Sequence, residues 1–439
     1  MQPFAVTMAR NGYVALTFDF PGHGRNGMPL PGGIGDHEAS GRALLAALGE
    51  VASFGRTLPQ GDGQIALLGH SMASDVVVRY APTDPAVKAT IAVSLFSPNV
   101  TASSPRNLLI VVGALEPAFL QDEARRVVGM TAGMPAHEGT TYGSFADGTA
   151  RRFVLADGVE HIGVLYSRDS MAEALDWMHR TMGRSGITFQ DRRGPWLGLM
   201  YLGIVVLAWP LSRLLPRLPE RSSAPALRWP RFLAIAILPA LLTPLILWKL
   251  PTDFLPLLLG DYLALHFAVY GLLTFAGLKI GGLLPATVGA NSTSHFRLAV
   301  AALAASVYVV LGIAGPTDWF VTSYWPTTER LPLILGMLCG TLPFFAADEY
   351  LTRRPTGPRG AYLLTKLSFA VSLLLAVALN FQKLFFLLII VPAIVVFFTV
   401  HGLFGSWIYR QTRHPMAGAV ALSLAMAWGI AVTFPIAGH

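Results

Sequence analysis

Cysteine is all but missing from this chain. Cys339 stands alone in an apolar run, so no intramolecular disulfide is possible and the cysteine count assigns no redox compartment. Charge is scarce too. Asp, Glu, Lys and Arg make up 13 % of the 439 residues, against 53 % hydrophobic, which excludes an ordinary soluble composition. The opening residues, MQPFAVTMARNGYVAL, lack both the basic stretch and the long apolar run of a secretory signal. No CxxC, HExxH, Walker or glycine-rich dinucleotide signature is found, so neither a metal nor a cofactor is expected.

What is present divides sharply. Residues 1–190 hold 14 Lys and Arg against 17 Asp and Glu, a net charge of −3. Residues 191–439 hold 18 against 8, a net of +10. Two domains follow, 1–190 with a soluble domain's charge density and 191–439 as a membrane block. The pI of about 9.6 is then that of basic loops flanking membrane spans, not of a nucleic-acid binder.

The first domain alternates helix and strand. Helices are expected at Phe4–Asn11, Glu38–Phe54, Ser71–Tyr80, Ala118–Met130 and Ser170–Met182. Strands are expected at Tyr13–Phe20, Gln64–Gly69, Ala89–Phe96, Asn107–Val112 and Arg152–Leu155. This order implies a mostly parallel sheet covered on both faces.

Chemistry gathers at the strand ends. Gly69-His70-Ser71-Met72-Ala73 sits between a strand and a helix, the setting of a nucleophile elbow, whose tight turn needs small residues on either side of the serine. Ala73 stands where glycine is usual. A serine hydroxyl needs a base, and the base an orienting carboxylate. Glu116 follows the strand at Asn107–Val112, and His161 lies between the last strand and the last helix. Asp122 and Glu123 are rival acids but stand at helical spacing. His23 and His37 precede the serine, and His137 precedes the last strand.

Ala9–Gly24 (ARNGYVALTFDFPGHG), Leu67–Ala73 (LLGHSMA), Ile110–Glu116 (IVVGALE) and Val159–Leu165 (VEHIGVL) together resemble the α/β-hydrolase superfamily, especially its bacterial esterase and serine-peptidase-like members. The resemblance implies a catalytic triad of Ser71, Glu116 and His161, with the Met72 N–H as one oxyanion donor. It also implies a central strand ending in His-Gly ahead of the helix at Phe4, whose loop supplies the second donor. That strand is not in the chain, so upstream sequence is expected. Only Ser97–Arg106 lies where such proteins often carry a lid, so the site is expected to be open or covered by a membrane surface.

Eight apolar spans follow, near 196–212, 232–250, 255–277, 298–315, 331–347, 362–380, 384–403 and 415–436, each close to bilayer length. The odd connections hold Arg213, Arg217, Arg221, Arg228 and Arg231, then Lys279 and Arg297, then Arg353, Arg354, Arg359 and Lys366, then Arg410 and Arg413. The even ones hold only Lys249, Arg330 and Lys383. The bias places the odd connections in the cytoplasm and the first domain outside it, as in a bacterial inner-membrane protein. Arg192 and Arg193 lean the other way. Asp261 is expected near the surface. His266 lies in the third span, and Asp348 and Glu349 are expected at the interface, paired with Arg353 and Arg354.

The expected activity is that of a membrane-anchored serine hydrolase cleaving a small-molecule or lipid-like ester, with the bilayer as its other partner. Peptide cleavage, acyl transfer by the same triad, and a transporter or scaffold carrying a degenerate hydrolase domain stay open.

Overall fold

A computed structural model describes residues 1–32, 36–186, 188–219, 225–284 and 292–438. The chain separates into two compact units, one of Met1–Pro21 and Asp36–Leu199, the other of Gly22–Gly35 and Met200–His439.

In the first unit, α1 (Gln2–Arg10) and α2 (His37–Thr57) precede β1 (Ile65–His70). There follow α3 (Met72–Tyr80), β2 (Val87–Val93), β3 (Leu108–Gly113), α4 (Ala118–Ala132), β4 (Arg151–Ala156) and α5 (Arg168–Met182). The strands form one sheet in the order β1-β2-β3-β4, every pair parallel. Ile91, Val93, Leu109 and Val111 face Phe4 of α1 and Met171, Leu175 and Trp177 of α5. On the other face Ala92, Leu108, Ile110 and Val112 meet Leu120, Ala124, Val127 and Val128 of α4. Burial on both faces is why these strands read as unbroken apolar runs rather than alternating ones.

Two strand expectations need correction. Residues 13–20 are irregular, and Val14 and Leu16 are exposed. A run with strand propensity becomes a strand only where a neighbour offers ladder bonds, and β1 pairs with β2 alone. β2 ends at Val93, not Phe96, because Ser94 turns into the left-handed region at φ 55°.

In the second unit run α6 (Arg193–Ser212, beginning in the first unit), α7 (Trp229–Leu247), α8 (Gly260–Ile280), α9 (Ser292–Phe320), α10 (Leu331–Thr352), α11 (Ala361–Leu379), α12 (Phe381–Leu384), α13 (Leu387–Thr412) and α14 (Pro415–Thr433). Among the described residues eight helices, all of these but the short α12, are long and apolar enough to cross a membrane. α8 and α10 approach closely. A Cβ on Gly340 would strike the Ala264 carbonyl, and one on Gly271 the backbone of Phe344. Such small-residue contacts let helices associate without a hydrophobic drive.

Several charged side chains of this unit are enclosed by protein. Arg330 is fully buried and donates to the carbonyls of Gly22, Ala431 and Phe434 at 2.8, 2.6 and 2.9 Å. It stands in the α9–α10 connection, and its guanidinium clamps backbone carbonyls. Asp261 is buried, in the first turn of α8. His266 is buried as well, with its Nε2 3.1 Å from the Ser372 hydroxyl. Asp348 and Glu349 are both buried inside the bundle. Neighbours on a helix point about 100° apart, so the two carboxylates meet different partners. Glu349 pairs with Arg353 at 3.2 Å, and Asp348 pairs with Lys366 of α11. The Lys366 ammonium also lies over the rings of Phe344, Tyr362 and Phe398. Arg221 lies outside the described residues.

Removing one member of a buried ion pair strands the other charge, at a cost of about 3 kcal/mol, whereas removing both is close to neutral. Lys366→Met is therefore expected to destabilise the protein strongly in denaturant titrations in micelles. Lys366→Met combined with Asp348→Leu should recover most of the loss. A double variant as unstable as the single one would contradict the pairing.

Candidate functional site

Four parallel strands of one sheet end at one edge, and a polar residue follows each. Ser71 comes directly after β1 and Ser94 directly after β2. Glu116 lies three residues past β3, and His161 five past β4. Loops beyond the carboxyl ends of parallel strands are where sites form in α/β sheets, because every strand delivers its loop to the same edge.

Ser71 sits at φ 55°, ψ −122° between β1 and α3, a backbone state that costs a non-glycine residue of order 1–3 kcal/mol. The turn is braced from both sides. The Ser71 N–H donates to the Val93 carbonyl at 2.9 Å, and the Ser71 carbonyl accepts the Ser74 N–H and hydroxyl at 2.8 and 2.6 Å. Gly69 is obligatory, since a Cβ there would fall on the Ala73 carbonyl oxygen. Met72 is the first residue of α3. The leading amides of a helix have no intrahelical acceptor, so its N–H is available beside the serine.

The three expected residues come together. The Ser71 hydroxyl lies 3.0 Å from His161 Nε2, and His161 Nδ1 lies 2.6 Å from Glu116 Oε2. A carboxylate only accepts, so Nδ1 carries the hydrogen and Nε2 presents its lone pair to the serine. Burial by itself would push the Glu116 carboxyl up. Hydrogen bonds from His161, from the Gly113 N–H at 2.8 Å and from the Ser94 hydroxyl at 2.7 Å hold it below its ordinary value. Glu116 is thus held as an anion with both oxygens engaged. The His161 loop is braced in turn. Glu160 accepts the N–H groups of Ile162 and Gly163, both at 2.8 Å, and Val159 accepts that of Leu115 at 3.0 Å.

The rivals are elsewhere. Asp122 pairs with Arg125 at 2.9 Å and Glu123 with Arg126 at 2.7 Å along α4. His37 opens α2, His137 follows α4, and His23 belongs to the second unit. Sequence reading missed two contributors, Ser94 and His70. Ser94 falls within the expected strand Ala89–Phe96; its only signal is that it ends an apolar run on the strand beside the one leading into Ser71. His70 lies inside the quoted motif, and its Nε2 is 2.9 Å from the His161 carbonyl. Among the described residues no group of three or more His, Cys, Asp or Glu is placed to hold a metal ion. No family model, curated protein or solved structure matches the chain.

Two outcomes follow from this geometry. Gly69→Val should collapse the turn and leave Ser71 unreactive towards an activated-phosphonate probe. The depressed carboxyl of Glu116 contributes stability that is present above its ordinary pKa of 4.5 and lost as pH falls through the lower folded value. The stability gap between wild type and Glu116→Gln should therefore narrow below about pH 4.5 in melting curves taken across pH. A gap that widens on acidification would contradict a depressed carboxyl.

Proposed function

We propose that this chain is a membrane-anchored serine hydrolase that cleaves carboxylic esters, its first unit a member of the α/β-hydrolase superfamily. The observation that carries the reading is the unbroken hydrogen-bonded line Ser71–His161–Glu116, with distances of 3.0 and 2.6 Å, at the carboxyl edge of a parallel sheet. Such a line makes a serine nucleophilic at neutral pH.

The steps follow from the geometry. Ser71 Oγ attacks the ester carbonyl carbon while His161 Nε2 takes its proton. The carbonyl becomes an oxyanion next to the Met72 N–H. Glu116 stabilises the imidazolium and keeps its ring oriented. The tetrahedral intermediate collapses, the alkoxide leaves with the proton held by His161, and an acyl-Ser71 ester remains. Water, deprotonated by His161, then releases the acid and restores Ser71. An alcohol in place of water would make the same machinery an acyltransferase. On the loop-charge bias the site faces away from the cytoplasm. The eight apolar helices, with the bilayer as partner, anchor it there.

A second reading rests on a different observation, the buried Asp348–Lys366 and Glu349–Arg353 pairs beside His401, whose ring nitrogens have no hydrogen-bond partner. Ionisable groups inside spans mark functional sites by default, and on this reading the helical unit does the work as a transporter.

The test is labelling of membranes with a fluorophosphonate probe. Wild type should label and Ser71→Ala should not. Glu116→Gln should label more slowly by about 10⁴-fold, the scale seen when an orienting carboxylate is neutralised. Folded wild-type protein that does not label would sink the hydrolase reading and favour the second.

A further inference from the structure

We propose that His70 is a positioning residue for the base, its imidazole tying the His161 main chain to the strand that carries the nucleophile. The inference rests on the serine-hydrolase reading above. His70 is the last residue of β1 and the neighbour of Ser71. Its Nε2 lies 2.9 Å from the His161 carbonyl, and the two rings are 4.7 Å apart between centroids, inclined at 44°. A carbonyl oxygen only accepts, so His70 Nε2 carries the hydrogen and donates it.

The consequence is a double link between nucleophile and base. One link runs through side chains, from Ser71 Oγ to His161 Nε2. The other runs from the residue next to Ser71 to the backbone of His161. Of the remaining braces of this loop, the Ile162 and Gly163 N–H groups donating to Glu160 stay within it, and the Leu115 N–H donating to the Val159 carbonyl ties it to the segment after β3, not to β1. The His70 bond is therefore the brace that fixes the backbone of this loop to the nucleophile's own strand. A misplacement of about 1 Å costs a reaction on the order of 100-fold.

The charge state of His70 fits the role. Burial, with the neighbouring His161 as the second cause, pushes its imidazole down to about 4. The ring is thus neutral across the physiological range and sets no positive charge against the imidazolium that must form on His161.

The test compares His70→Ala, His70→Phe and His70→Gln with wild type in the intact protein in micelles. It reads hydrolysis of p-nitrophenyl esters, phosphonate labelling rate and melting temperature. Alanine and phenylalanine remove the donor, and phenylalanine keeps a ring in the space. The glutamine amide N–H can reach the same carbonyl. The expected result is that Ala and Phe lower kcat by about tenfold or more, with KM changed less than about twofold, melting little altered, and Gln recovering most of the rate. A kcat in Ala and Phe within twofold of wild type overturns the proposal. So does an equal loss in all three variants that tracks a fall in melting temperature, since that is the mark of a purely structural residue. Wild type that shows no Ser71-dependent labelling removes the hydrolase reading itself, a result distinct from a reactive wild type indifferent to His70.

Discussion

The site depends on the parallel ladder being carried one residue beyond its strands. The Ser71 N–H bonds to the Val93 carbonyl and the Ser94 N–H to the Val111 carbonyl, at 2.9 and 2.7 Å. Each serine is thus still held by the next strand while its own backbone has turned to φ 55°. A non-glycine residue keeps that conformation only where its surroundings over-determine it. The ladder supplies that grip on one side and the first turn of α3 supplies it on the other. The two serines end up in equivalent places on adjacent strands. One faces the imidazole, and the other supports the carboxylate that orients the imidazole.

From that grip the electrostatics follow. Glu116 is buried among apolar strands, where an unpaired carboxylate would take up a proton. Three donors, from His161, Gly113 and Ser94, keep it ionised. On the proposed reading, the acid's environment and the base's orientation are one arrangement, since the bond that depresses Glu116 also selects the tautomer of His161 that can accept from Ser71.

The helical unit answers to a different constraint. In hydrocarbon no water satisfies polar groups, and the buried Asp348, Glu349, Lys366 and Arg330 are matched in pairs or spent on backbone. Arg330 is the clearest case, closing carbonyls at the C-terminal end of α14 and that of Gly22. Glu349 reaches Arg353 one turn along its own helix, a spacing visible in the sequence. Asp348 reaches Lys366 on α11, which no spacing along α10 announces. Arg330 stands in the α9–α10 connection yet is buried, and Lys366 lies within α11, because a position at a span's edge does not say whether the side chain points out or in.

Read by itself, the sequence determined most of the local order. Apolar runs and their punctuation located the four strands and the helices between them. The eight spans fell close to their observed positions, because twenty apolar residues in a row leave little choice. Gly69-His70-Ser71 before a helix, Glu116 after β3 and His161 after β4 were legible because strand ends are marked by composition. What only the tertiary structure decided was register and partnership. Tyr13–Phe20 has strand composition but no ladder neighbour. Ser94 and His70 gain their places from strands that lie beside each other in space, and ladder register is a property of the paired chains that neither chain carries alone.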